Sequence, residues 1–215
     1  MYNSSKMGIQ SPCHDAVNRI INGWVYDILL DDSDSWTDII MDCEDVNPDN
    51  VHSVMDTHHP LGFIAHGHGG WAGMSGHGNV IIWALYLDHD QYLPLLKDKI
   101  VYLISCYTGV QLGPALVNDY GAKVYFGFDD TCYVGSGWHS KLTLLEPWFA
   151  LMEGDTVQQA YDRTIDKYNY YIDAGFTTLI HNRDHFIMIG DPNATLFPID
   201  DNMVTDDLNF SIEVS

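Results

Sequence analysis

Apolar runs of strand length alternate along most of the chain with apolar positions at helical spacing. Val17, Ile20, Ile21, Trp24, Val25 and Ile28 share one helical face, behind a Ser11-Pro12 pair that suits a helix start. "TDIIMD" from Thr37 predicts a strand, "NPDNVHSVMDTHH" a short helix, and "LGFIA" from Leu61 a second strand. "NVIIWALYL" fits either a strand or a buried helix, whereas "KIVYLIS" from Lys99 is the clearest buried strand. Leu112, Ala115, Leu116 and Tyr120 predict a helix closed by Gly121, and "AKVYFGF" predicts the next strand. Val157, Ala160, Tyr161, Ile165 and Tyr168 mark a longer helix with Asp155 as its N-cap, and "HFIMIGDP" is the last strand signal. The opening "MYNSSKMGIQ" is a poor strand pattern and is expected to add none.

Apolar strands alternating with amphipathic helices predict an α/β fold: a parallel sheet covered on both faces, in a single domain spanning 1–215. Open sheets of this kind bind ligands outside the carboxyl ends of their strands.

Charge narrows the partners. Thirty acidic against nine basic residues give a net charge of −21, which disfavours nucleic acid and anionic membranes. No apolar run reaches membrane-spanning length, and "MYNSSKMGIQSPCHD" lacks the order of a signal peptide; this leaves the compartment open, with a slight preference for the cytoplasm. Most acids are Asp, gathered in loops such as "DDSDSWTD" and "PIDDN"; they read as solvating surface, with structural calcium as the functional alternative. Four cysteines (Cys13, Cys43, Cys106, Cys132) without a CxxC pair give no zinc knuckle, although two disulfides are arithmetically possible.

Two strand ends carry chemistry. "GFIAHGHGG" places His66 and His68 among glycines, and "KIVYLISCYTG" ends at Cys106 before a turn and a helix. A cysteine there, beside a helix N-terminus, suits a thiolate, and a histidine across the strand gap would complete a Cys-His pair for acyl transfer. The backbone N–H groups of Gly67 and Cys106 are candidate oxyanion donors. The plainer alternative makes Cys106 a small core residue and the histidines turn residues.

An apolar strand ending in His-Gly, followed by one ending in Cys, resembles the caspase–gingipain–clostripain–legumain–separase group of cysteine peptidases, and most closely its gingipain-like branch. "FIAHG" with Trp71 or Trp83 downstream resembles the first motif, and "SCYTG" the second. "LVNDYGAKVYFGF", "LMEGDTVQQAYDRT" and "MIGDPNATLFP" extend the likeness, which runs from about Trp36 to Pro198. The resemblance implies a caspase-like α/β/α sandwich with a mostly parallel central sheet. It also implies a thiol protease that hydrolyses peptide bonds and requires no cofactor. Cys106 would be the nucleophile and His66 the proton shuttle, with His68 the alternative; His68 and His77 are otherwise loop residues. Members that cleave after Arg or Lys use an acidic pocket residue, and Asp129 and Asp130 end the strand after the cysteine strand.

Three other functions compete. A non-catalytic binding module on the same fold would keep the architecture without the reaction. An α/β-hydrolase esterase needs G-x-S-x-G or its Cys variant, and Ile104 and Thr108 stand where its glycines belong. Metal-dependent hydrolysis at His66 and His68 would need Asp88, His89 or Asp191 as further ligands and would leave Cys106 without a role; no metal site is assigned.

Overall fold

The computed structural model describes residues 6–11, 18–21, 23–24, 37–42, 48–75, 83–87 and 93–196. Along the chain come β1 (Lys6–Ser11), β2 (Thr37–Asp42), α1 (Pro48–His58) and β3 (Gly62–His66). Three short strands follow, β4 (Gly69–Gly70), β5 (Gly73–Ser75) and β6 (Trp83–Tyr86). Then come β7 (Ile100–Ile104), α2 (Leu112–Asn118), β8 (Val124–Phe128), α3 (Trp138–Met152), α4 (Val157–Asp173), α5 (Ile180–His185) and β9 (Phe186–Gly190).

Six strands form one sheet in the order β2-β1-β3-β7-β8-β9, and β4, β5 and β6 form a small antiparallel sheet beside it. All neighbours in the large sheet are parallel except β8 and β9. The chain leaves β1 outward to β2, then returns across β1 to β3 and continues the other way. Such a reversal opens a crevice at the carboxyl ends of the strands.

Side chains on successive strand residues point to opposite faces, so one apolar run feeds two cores. Ile64, Tyr102, Ile104, Phe126 and Phe128 pack with Ile21, Trp24 and the inner residues of α3 and α4. Phe63, Ala65, Val101, Leu103 and Tyr125 pack with Val51 and Met55 of α1 and with Leu112 and Leu116 of α2. Helices therefore cover both faces of the sheet, and all five residues of β3, β7 and β8 are buried. Burial of each large apolar side chain contributes about 1.5–3 kcal/mol.

The N-terminal residues do form a strand, contrary to the sequence expectation. Lys6–Ser11 pairs in parallel with both β2 and β3, so its ladder partners satisfy a backbone that its own apolar pattern would not select. Ser11 is the last residue of that strand, and the helix start expected at Pro12 lies outside the described residues. Helical residues 18–21 and 23–24 follow, carrying Ile21 and Trp24 into the core; Pro12, Val17, Val25 and Ile28 lie outside the described residues. The ambiguous "NVIIWALYL" is a strand in its described part, β6. The N-cap of α4 is Thr156 rather than Asp155: Thr156 Oγ1 accepts from Gln159 N at 3.3 Å, and Gln159 Oε1 accepts from Thr156 N at 2.8 Å. This reciprocal box satisfies two backbone donors at once, which a lone Asp155 side chain would not. Asp155 instead accepts from Arg163 at 3.3 Å.

Candidate active site

Parallel register sets the height of the two motifs. His66 is paired with Ile104, so His68 and Cys106 each stand two residues beyond the same rung on adjacent strands. Ser105 Oγ then donates to the Gly67 carbonyl at 2.9 Å, tying the two strand ends together. Gly69 lies flat on this crossing, where an added Cβ would collide with Ser105 Oγ and the Cys106 carbonyl. Only glycine allows the histidine loop to approach that closely.

The two histidines have different surroundings. His66 is only 1% exposed, and its Nδ1 lies 3.2 Å from Oδ1 of the buried Asn18. His68 is exposed, and its carbonyl accepts from Ser75 N at 2.7 Å and from Ser75 Oγ at 3.2 Å. The backbone at His68 is thus fixed, and the residue is exposed. Asn18 and Ser75 lie outside both motifs and carry no pattern that would single them out. His77 lies outside the described residues.

"SCYTG" is a turn in which each residue has a structural reason. Tyr107 is in the left-handed region at φ 60°, a strained conformation for a residue with a side chain, directly after the candidate nucleophile. Thr108 is fully buried and shares a 2.8 Å hydrogen bond with the Tyr125 hydroxyl, which anchors the turn to β8. Gly109 N donates to the Phe128 carbonyl at 2.8 Å, and a Cβ there would stand 2.9 Å from that same oxygen.

Cys106 is partly exposed, with a free thiol. The helix expected beside it, α2, begins only at Leu112, and the group that meets the sulfur is another one: the backbone N–H of Cys132 donates to Sγ at 3.3 Å. Cys132 is itself a free thiol, buried, and burial followed by the neighbouring Cys106 pushes its ionisation well up. It is a packed, protonated group rather than a second nucleophile. Neither described cysteine is in a disulfide, and Cys13 and Cys43 lie outside the described residues. The position of Cys132 shortly after β8 is legible in the sequence, whereas its contact with Cys106 is not.

One of the two expected oxyanion donors is otherwise engaged. Gly67 N donates to the Ile104 carbonyl at 3.4 Å, extending the β3–β7 ladder by one step. The Cys106 N–H donates to no other described residue.

Asp129 and Asp130 do reach the same edge: Tyr107 N donates to the Asp130 carbonyl at 2.9 Å. Their carboxylates already have partners. Asp129 Oδ1 lies 2.8 Å from His185 Nδ1, and Asp130 Oδ1 accepts from Thr131 N at 2.6 Å. That N–H, with the Tyr107 hydroxyl, holds the Asp130 carboxyl below the usual range. The loop that follows is clamped by buried Asn182, whose Oδ1 accepts from Tyr133 N at 2.8 Å and whose Nδ2 donates to Tyr133 O at 2.7 Å. Beside it opens a cavity of about 770 Å³, lined among others by Tyr133, His139, His181 and His185.

Asp88, His89, residues 31–36 of the first loop named for calcium and all of the second, 198–202, lie outside the described residues, while Thr37 and Asp38 of the first open β2. Among the described residues no helix is long and apolar enough to cross a membrane. Compared with known proteins, the chain matches no family model and no curated protein.

Proposed function

We propose that the chain is a cysteine peptidase of caspase-like α/β/α architecture, with Cys106 as nucleophile and His68 as proton shuttle. The observation that carries this is the shared register of His68 and Cys106 at adjacent strand ends, with Gly69 packed against Cys106. Exposure favours His68 over His66. A shuttle must reach the leaving group, and His66 is sealed in the core against Asn18. His66 then positions the loop that carries His68. Helices on both faces of a mostly parallel sheet, with the histidine and the cysteine at its carboxyl edge, support the same family.

The chemistry runs in two halves. The Cys106 thiol proton passes to the His68 imidazole as Sγ attacks the scissile carbonyl carbon. The oxyanion of the tetrahedral intermediate is met by the Cys106 N–H, and the imidazolium returns the proton to the leaving amine as the C–N bond breaks. A thioester remains on Cys106. Water, deprotonated by His68, hydrolyses it and regenerates the thiol. An α/β-hydrolase elbow would need a helix directly after the nucleophile, whereas here Tyr107 to Gln111 intervene before α2.

Cleavage after Arg or Lys was expected from Asp129 and Asp130. Because both carboxylates are engaged by the chain's own donors, a guanidinium would compete with His185 for Asp129. Hydrolysis of fluorogenic peptides with Arg, Lys, Asp, Asn or Leu before the cleaved bond tests the whole proposal. Turnover that disappears in Cys106→Ala is the expected result. Peptide binding without turnover in the wild type would leave a binding module instead.

A further inference from the structure

The last helix before β9 presents a chemistry that the peptidase reaction does not use. "HNRDH" places His181 and His185 one helical turn apart on α5, with ring centroids 4.4 Å from each other. Asp130 approaches from the opposite loop, and one ligand atom from each of Asp130, His181 and His185 lies within 4.8 Å of the other two. His181 Nε2 is buried and has no hydrogen-bond partner, an arrangement that leaves a polar atom desolvated and uncompensated.

We propose that Asp130, His181 and His185 form a binding site for a divalent transition-metal ion of the zinc class. Two imidazoles and one carboxylate are a donor set that zinc accepts and that calcium, which prefers oxygen, does not. Ligand atoms on one tetrahedral zinc ion stand roughly 3.3 Å apart. His185 Nε2 and Asp130 Oδ2 are 4.0 Å apart, so modest side-chain rotations bring them onto a shared ion.

The supporting contacts are already in place. Asp129 Oδ1 holds His185 Nδ1 at 2.8 Å, which fixes the tautomer and turns Nε2 towards Asp130. A carboxylate behind a histidine in this way orients the ring and strengthens it as a ligand. Thr131 N occupies Asp130 Oδ1, and Oδ2 is the oxygen that lies 4.0 Å from His185 Nε2. Asn182, between the two histidines in sequence, locks α5 to the facing loop through both of its bonds to Tyr133. Three protein ligands leave a coordination position for water or an exogenous ligand, and the cavity lined by His181 and His185 gives access to it. The site stands on this geometry and holds whether or not Cys106 is a peptidase nucleophile.

The test titrates the full chain, stripped with chelator, with cobalt(II) alone, followed by zinc in competition with a chromophoric chelator. One equivalent should bind, with the intense visible bands of tetrahedral cobalt. His181→Ala and His185→Ala should each weaken zinc at least about 100-fold, and Asp129→Asn about 10- to 100-fold through loss of ring orientation. Cys106→Ala and His68→Ala should bind as the wild type does. Circular dichroism of each variant shows whether its fold is kept, and Asp129→Asn keeps the shape of the side chain it replaces. Wild-type affinity no greater than that of the His181→Ala, His185→Ala double variant would overturn the site. So would loss of binding in Cys106→Ala or His68→Ala.

Discussion

The backbone N–H of Cys132 donates to Sγ of Cys106 at 3.3 Å, although the two residues belong to different strand-end loops. The contact fixes where the Cys106 sulfur sits and gives it a hydrogen-bond donor. The Cys132 side chain itself is buried in the core cluster beneath α3 and α4.

That arrangement predicts the order of thiol reactivity. Iodoacetamide should alkylate Cys106 in the folded protein while Cys132, buried and with its ionisation pushed well up, stays unmodified until denaturant is added. Peptide mapping by mass spectrometry reads both sites. Equal labelling of the two in native buffer would contradict the assignment of Cys132 as a packed thiol.

Asn182 should matter to a site it does not enter. Asn182→Ala leaves both polar groups of the Tyr133 backbone without their side-chain partner, at a cost of about 2–3 kcal/mol. Because the same loop carries the Cys132 N–H, the alkylation rate at Cys106 should change with the melting temperature. A variant that loses stability but alkylates Cys106 at the wild-type rate would separate the loop from the sulfur.

Gly69→Ala probes the close approach of the two strand ends. The added methyl meets Ser105 Oγ and the Cys106 backbone, so the histidine loop must move away. Peptide turnover should fall at least about 100-fold, since a displacement of about 1 Å can have that effect. Overpacking should cost about 1–3 kcal/mol of stability. Full activity would show that the loops need not touch.

Stability of the helical layer rests partly on a buried acid. Glu146 of α3 is 2% exposed and accepts from Arg163 Nε at 2.5 Å, with Lys167 Nζ at 3.2 Å; Arg163 also pairs with Glu153. Arg163→Ala should cost about 2–3 kcal/mol, less than a fully buried pair because the guanidinium is partly in water. Arg163, chiefly by its hydrogen bond, holds the Glu153 carboxyl below its usual range. The stabilisation from Glu153 is therefore complete above the unfolded value of about 4.3 and is lost as pH falls through the lower folded value. The gap between the melting curves of wild type and Arg163→Ala should narrow across that acid range by the part that Glu153 supplies. A constant gap down to the lowest pH would rule out this linkage.

What the sequence made legible follows from how each element is stabilised. β7 and β8 are buried on both faces, so their composition alone marks them. β1 is recruited by partners on both sides, which no local pattern records. α3 escapes periodicity because Ser140, Thr143, Leu144, Leu145, Glu146 and Trp148 are all buried, and because Pro147 reads as a helix breaker. At the site, "SCYTG" and "HGHGG" were visible as strand-end motifs. The different exposure of His66 and His68 was not, since burial against Asn18, 48 residues away, is a tertiary fact. The i, i+4 spacing of His181 and His185 was in the sequence, but its meaning depends on Asp130 arriving from another loop.

The central claim is that Cys106 forms an acyl intermediate with His68 as its proton shuttle. It is tested most directly by acid-quenching the protein during turnover of a short N-acylated peptide ester and mapping the trapped adduct by mass spectrometry. The predicted result is a single acyl mass on the Cys106 peptide. It should form at least about 100-fold more slowly in His68→Ala and, in folded protein, be far less affected by His66→Gln. Turnover with no adduct on Cys106, or adduct formation at the wild-type rate in His68→Ala, would contradict the claim.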